Sequence, residues 1–282
     1  MPPTHPPQPL TLIVATTPLP RGLGIGLGGT LPWPRIKSDM SFFARVTARL
    51  PLTSSSDPAQ LSGPGMGAAV TSGTGTGKTR TRTNALIMGR KTYDSVPAKL
   101  RPLGKRVSVV ISRDTHGCVA ERVREELEGK RGREREVAEK KAAEQGTTAT
   151  ATTAPEGQTD AVVASSLSDA LRQLDEDAAG GELGNVFVIG GAEIYGASLQ
   201  LPSESESGEK RKIRIVMTDV EKVDGSGFEC DTFFPVDAEE LQSDKWRMVS
   251  SKEVSEWVGE EISGEWITEG DVRIRMIGYE RV

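Results

Sequence analysis

Six short, nearly unbroken apolar runs set the architecture open to this chain: Leu10–Thr16, Ala85–Met88, Val107–Ile111, Ala161–Ala164, Val186–Ile189 and Ile213–Thr218. Each is too short for a core helix and too continuous for a strand with one wet face. Such runs mark strands covered on both sides of a sheet. Helix-compatible segments lie between them, among them Ser38–Leu50, Arg90–Val96 and Leu167–Leu174. Leu167, Leu171 and Leu174 share one helical face. Alternating buried strands and helices imply an α/β fold with a mainly parallel sheet, whose ligand crevice lies at the carboxyl ends of the strands. The tail, Trp246–Ser255 and Asp271–Glu280, reads as a pair of long antiparallel strands.

Composition explains the gaps. Hydrophobic residues make up 36% of the 282 residues and aromatics 5%, low for a chain packed throughout. Three polar insertions would dilute one core: 51–83, Ser/Thr/Gly-rich and disordered in character; 114–159; and the loop 202–212. Removing them leaves a single domain. Within 114–159, residues 121–141 mix charges, with Glu126/Lys130 and Glu136/Lys140 at i,i+4. We read a solvated helical spur without an apolar stripe, then a Thr/Ala linker over Gly146–Pro155. A net charge of −5 argues against nucleic acid as a partner. Cys118 and Cys230 are too few for a disulfide framework, and His5 and His116 lack ligand-like neighbours, so no metal is expected. No run approaches membrane-spanning length, and the Met1–Pro9 stretch resembles neither a secretory nor a transit peptide. The expectation is a soluble, cytoplasmic protein.

The richest chemistry gathers at Leu31–Leu50. Pro32 and Pro34 hold Trp33 in a stiff extended segment, and Ser38 suits a helix N-cap. From Asp39, the positions i+4, i+7 and i+11 are Phe43, Val46 and Leu50, so a lone carboxylate heads an apolar stripe where desolvation raises its pKa. The plainer reading is an acid placed to suit the helix dipole. Two phosphate-loop patterns fail on context. Gly24, Gly26 and Gly29 satisfy G-x-G-x-x-G, but Pro32 and Pro34 deny the helix that a dinucleotide fingerprint requires, leaving a mobile loop beside a ligand. Gly73-Thr-Gly-Thr-Gly-Lys-Thr79 lacks the first glycine of a Walker A loop, since Ser72 stands there. Better anion sites are Gly89 followed by Arg90-Lys-Thr92, the pair Ser112-Arg113, and Gly190-Gly191 before Ala192-Glu-Ile-Tyr195.

Taken in order, Ile13-Val-Ala15, Gly24-Ile-Gly26, Leu31-Pro-Trp-Pro34, Asp39 with Phe43, Ile87-Met-Gly-Arg-Lys-Thr92, Arg101-Pro-Leu103 with Arg106, Val110-Ile-Ser-Arg113, Val188-Ile-Gly-Gly-Ala-Glu-Ile-Tyr195, Thr218 and Asp231-Thr-Phe-Phe-Pro235 resemble the dihydrofolate reductase family, its fungal members most. The resemblance implies a central eight-stranded sheet with an antiparallel C-terminal hairpin and flanking helices. It also implies NADPH-dependent reduction of 7,8-dihydrofolate, antifolate binding and a monomer. In that pattern Asp39 holds the pterin's amino and ring N–H groups, Thr218 bonds the acid, and Trp33 fixes a water. Ile13, Leu31, Phe43 and Ile189 sandwich the rings, with Val14, Met40, Leu103 and Tyr195 also in the substrate set. Arg106 pairs with the α-carboxylate of the substrate's glutamate tail. Arg90, Ser112 and Arg113 take the 2′-phosphate of NADPH. Thr92 and the turn Gly190, Gly191, Ala192, Glu193, Ile194 take its pyrophosphate, with an unusual cis Gly–Gly peptide. Ala15, Gly24, Ile25, Gly26, Thr30, Gly89 and Lys91 complete the cofactor set, and Gly24–Thr30 forms a flap.

Four positions depart from the pattern. Asp39 stands where eukaryotic members usually carry glutamate, Met40 where phenylalanine is frequent and Tyr93 where tryptophan is common, and no base stands near Ser165. The competing readings are the related reductase of riboflavin synthesis, which needs neither Asp39 nor Arg106, a nucleotide switch at Gly73–Thr79, and a silent binding homologue.

Overall fold

Strand β1 (Leu10–Leu19) lies inside the sheet, between two parallel neighbours, β6 (Leu183–Val188) and β7 (Ile213–Lys222). Beyond β6 follow β3 (Thr83–Gly89), β4 (Arg106–Ile111) and β5 (Asp160–Ala164), all parallel. Beyond β7 the direction reverses: β11 (Val272–Arg281) pairs antiparallel with it and carries β10 (Ile267–Glu269) on its outer edge. The path β10-β11-β7-β1-β6-β3-β4-β5 is the eight-stranded, mostly parallel sheet expected from the sequence. Three short strands hang from it: β2 (Gly22–Gly26), β8 (Thr232–Phe233) and β9 (Trp246–Val249). This computed structural model describes residues 8–49, 82–145, 158–179, 183–202 and 211–282. The Gly73–Thr79 pattern, the 146–155 linker and nearly all of the 51–83 and 202–212 segments lie outside the described residues.

Strand alternation divides the apolar side chains between two cores. Leu10, Leu12 and Val14 of β1, with Ala85, Ile87, Val109, Ile215 and Met217, pack under α4 (Leu167–Ala179) and α5 (Ala192–Leu199). Ile13, Leu86, Met88, Val110, Phe187 and Val216 face the opposite side. There α1 (Lys37–Ala48), α2 (Arg90–Ser95), α3 (Cys118–Gln145) and α6 (Ser251–Val258) cover them. The second core opens into the cleft described below.

Four expectations are corrected. The spur is not solvated throughout: α3 docks its first turns on the sheet through Val119, Val123 and Leu127, all buried. Asp114 holds its start, accepting from the backbone N–H of Val119 (2.7 Å) and of His116 (3.0 Å). From Gly132 to Lys141 every residue is exposed. The stripe is three residues spaced by four, and the charges around it mask it. The C-terminal pair of long strands is interrupted by α6, because Ser250 and Glu253 form a capping box that starts a helix where a continued strand was expected. Gly24–Thr30 is only partly loop. Its first residues belong to β2, paired with β1 (Thr17↔Gly24), and the reversal at Gly28 and Gly29 is closed by mutual Leu27/Thr30 backbone bonds. Gly24 is glycine for a packing reason, since a Cβ there would meet Cys230 Sγ at 2.4 Å. Finally, Ser38 is not the N-cap of α1; that position is Ile36, which offers no side-chain bond.

Candidate active site

The cleft forms where the first turn of α1 faces the junction of β1 and β7. Register places Ala15 beside Thr218, and Thr218 beside Met276 of β11. The Thr218 side chain is buried and bonds the carboxyl of Asp39 across the cleft. Burial pushes the Asp39 pKa up, the Thr218 bond pulls the other way, and the negative charge of Glu269 adds to the rise. Asp39 is therefore poised to exchange a proton closer to neutrality than an ordinary aspartate.

The walls are apolar. Ile13, Trp33, Phe42 and Val46 are buried in the same core, with Phe43, Leu103 and Ile189 half-buried against it. Trp33 packs edge-on against Phe228, centroids 5.8 Å apart. Of the expected α1 stripe, Val46 is buried, Phe43 is half-buried and Leu50 lies outside the described residues, while Phe42 and Thr47 complete the buried face. Leu31 and Met40 are exposed at the mouth. Two members of the expected substrate set are not wall residues. The Val14 side chain lies in the other core, because β1 alternates there. Tyr195 is buried in that core too, against Phe234, and its hydroxyl donates to the Ile13 carbonyl at 2.6 Å. It braces β1 from behind.

At one end of the cleft Arg106 opens β4. Its guanidinium is buried, donates to the Gly104 carbonyl (2.8 Å) and to the Thr47 hydroxyl, and has no carboxylate partner among the described residues. Burial pushes its pKa down to about 10. A desolvated cation with spare donors is built to meet an anion that the chain does not supply. Thr47 had no sequence signal: its meeting with Arg106 spans 59 positions. The segment before Arg106 is held by an ionic cluster. Arg101 reaches Asp94 (3.4 Å) and Glu126 (3.2 Å), and Tyr93 donates to Glu126 (2.6 Å).

At the other end the strands β3 and β6 finish side by side, with Gly89 N–H donating to the Gly190 carbonyl at 2.8 Å. The Gly190–Gly191 peptide is cis, as the resemblance implies. Gly190 has φ +109°, and a Cβ there would press on the Tyr195 ring at 3.1 Å; one on Gly191 would sit 3.4 Å from Thr92 Oγ1. Bare backbone, the first turn of α5 and the Thr92 hydroxyl thus form a cradle that side chains would fill, suited to a pyrophosphate. Arg90, Lys91 and Arg113 stand exposed beside it. Arg113 pairs with Glu193 at 3.3 Å in full solvent, an interaction too screened to hold either rigidly. Ser112 Oγ accepts from the Asp114 N–H (3.2 Å), and Ser165 is tied to Asp169 (3.0 Å). Over the cleft's edge, Asp231 accepts from Gly28 N–H at 2.7 Å and pins the β2 turn, while Thr30 Oγ1 bonds the Leu27 carbonyl at 3.1 Å. Ile25 packs partly into the first core.

A half-buried acid against an apolar wall, a buried cation with no carboxylate partner among the described residues and a glycine cradle suit an α/β enzyme that takes a flat substrate and an anionic cofactor. Comparison with known proteins carries the assignment further. The family model described as dihydrofolate reductase matches residues 74–136. The chain is 30% identical to a dihydrofolate reductase of Cryptococcus neoformans over 267 residues, covering 90% of this chain and 86% of that one. It is 27% identical to one from Aedes albopictus over 238 residues, 84% of each. In three dimensions it matches the Schistosoma mansoni dihydrofolate reductase with a TM-score of 0.54 at 22% identity, over 98% of this chain and 100% of that chain. The chain belongs to the dihydrofolate reductase family, oxidoreductases that use a nicotinamide cofactor.

Proposed function

We propose that this protein catalyses the NADPH-dependent reduction of 7,8-dihydrofolate to 5,6,7,8-tetrahydrofolate, as a cytoplasmic monomer serving one-carbon metabolism. The observation that carries the reading is the Asp39 carboxyl, raised in pKa by burial and bonded to Thr218 inside an apolar cleft. That pair suits a heterocycle presenting an amino group next to a ring N–H, which a single carboxylate can bind with both oxygens. Asp39 holds the pterin flat against Ile13, Phe43 and Ile189, and raises the basicity of N5, which takes its proton from water. Net reduction adds a hydride to C6 and a proton to N5 across one C=N bond. When bound, the reduced nicotinamide supplies the hydride. The walls exclude competing solvent and hold the reacting atoms in line. Arg106 anchors the glutamate tail through its α-carboxylate. Arg90, Ser112 and Arg113 would read a 2′-phosphate, and the Thr92/Gly190/Gly191 cradle a pyrophosphate.

The test is oxidation of NADPH by purified protein with and without dihydrofolate, run beside a pyrimidinone substrate of riboflavin synthesis. Turnover confined to dihydrofolate supports the proposal; turnover confined to the pyrimidinone refutes it. The buried Arg106, which has no carboxylate partner among the described residues, suits the α-carboxylate of the glutamate tail and so favours the first outcome.

A further inference from the structure

The N-terminus of α1 is capped from the far end of the chain. Ile36, at the N-cap, contributes no side-chain bond, so the first-turn N–H groups need an acceptor from elsewhere. Glu269, the last residue of β10, provides it. Its Oε1 accepts from Lys37 N–H at 2.6 Å, and its Oε2 from Ser38 N–H at 2.9 Å and Ser38 Oγ at 2.6 Å. The partners lie 231 and 232 positions apart in sequence. Asp39 is the next residue of the same turn. β10 is fixed to β11 (Glu269↔Val272), β11 to β7 (Met276↔Thr218), and Thr218 bonds Asp39. One strand framework therefore grips the start of α1 twice, through Glu269 on the backbone and through Thr218 on the acid itself.

We propose that Glu269 is the positioning residue for Asp39, a remote cap that sets the acid's height and orientation in the cleft and places a fixed negative charge behind it. This rests on the reading of Asp39 given above. The groups facing Asp39 are few. Thr218 comes from β7 and Glu269 from β10, while Lys37 on its own helix lies beside Glu269. Asp219, next along β7, points to the opposite face and is held by Arg275 at 2.9 Å. Glu269 stays ionised because the Ser38 hydroxyl and the two backbone N–H groups hold its pKa below the usual carboxylate range. Its charge opposes ionisation of Asp39, so removing it lowers the Asp39 pKa.

The test compares Glu269→Gln, Glu269→Asp and Glu269→Ala with Glu253→Gln, which weakens the distant capping box of α6. Two quantities are read: kcat/KM for dihydrofolate against pH, and the 13C shift of the Asp39 carboxyl in the free protein, assigned with Asp39→Asn. Glu269→Gln is expected to move the Asp39 inflection to lower pH in both, and Glu269→Asp to leave it in place because the charge stays. Glu269→Ala is expected to cost roughly tenfold in kcat/KM through loss of the cap. Glu253→Gln lowers the melting temperature and leaves the inflection unmoved. A folded Glu269→Gln protein with the wild-type Asp39 titration would overturn the proposal and leave Glu269 a structural cap only. If instead Asp39→Asn turns over dihydrofolate at the wild-type rate, the reading of Asp39 fails, whereas the 13C titration still decides the role of Glu269.

Discussion

Replacing Arg106 by methionine separates function from stability in a way the structure lets us estimate. The guanidinium is buried, and its pKa falls from the ordinary 12.5 to about 10. At about 1.4 kcal/mol per unit, the folded protein bears roughly 3 kcal/mol to keep it charged. Against that, the side chain makes hydrogen bonds to Gly104 and Thr47, each worth about 1 kcal/mol net. Removing the cation relieves the first quantity and forfeits the second, so Arg106→Met should leave stability within about 1 kcal/mol of wild type. That is a melting shift of no more than about 4 °C for a domain of this size. Binding suffers separately. Charge-assisted bonds to a carboxylate are worth about 1.5–3 kcal/mol, so kcat/KM for dihydrofolate should fall about 10- to 150-fold. A dihydropterin without the glutamate tail should be turned over as by wild type. The assay is NADPH oxidation with both substrates, beside a thermal melt. Equal losses with both substrates, or a destabilisation of several kcal/mol with dihydrofolate kinetics intact, would show that the Arg106 charge is needed by the fold and not by a ligand.

Three further outcomes follow from the same structure. Asp39→Asn should cut turnover by about a hundredfold or more. It should also stabilise the protein near neutral pH: the folded pKa of Asp39 lies above its unfolded value, so the wild type loses stability as pH rises between the two. Denaturant melts should therefore show the mutant's advantage growing with pH through that window and vanishing below it. Gly24→Ala drives a Cβ to 2.4 Å from Cys230 Sγ and should destabilise by about 1–3 kcal/mol. Adding Cys230→Ala removes the sulfur but keeps the Cys230 Cβ position at 2.9 Å, so it should recover only part of the loss, and additive losses in the double mutant would refute the sulfur contact. On α3, Val123→Ala removes a side chain only 1% exposed and should cost about 1–2.5 kcal/mol. Val137→Ala, at 58% exposure, should stay within about 0.5 kcal/mol. Equal effects in urea melts would mean that the whole helix is docked, or none of it.

Local sequence determined much of this protein. The six apolar runs became β1, β3, β4, β5, β6 and β7 because a strand covered on both faces must be continuously apolar, and that requirement is visible within a few residues. The acid at Asp39 and the glycines at 190 and 191 could be singled out for similar reasons, since their chemistry is unusual beside their immediate neighbours, whereas Thr218 entered only through the family resemblance. The capping box at Ser250 and Glu253 was equally local, and a strand reading of Trp246–Ser255 hid it. Only the tertiary structure decided how distant pieces meet. The sheet's strand order brings Glu269 to the start of α1, Arg106 to Thr47, and Asp231 to Gly28 across separations of 231, 59 and 203 positions. It likewise makes a strand of the glycine-dense Gly22–Gly26, whose edge pairing with β1 and β8 compensates for weak intrinsic preference. Propensity and periodicity act over one or two turns of chain. Capping by a remote carboxylate, burial of a lone cation and removal of a Cβ for a neighbouring sulfur depend on surfaces that exist only once the sheet has closed.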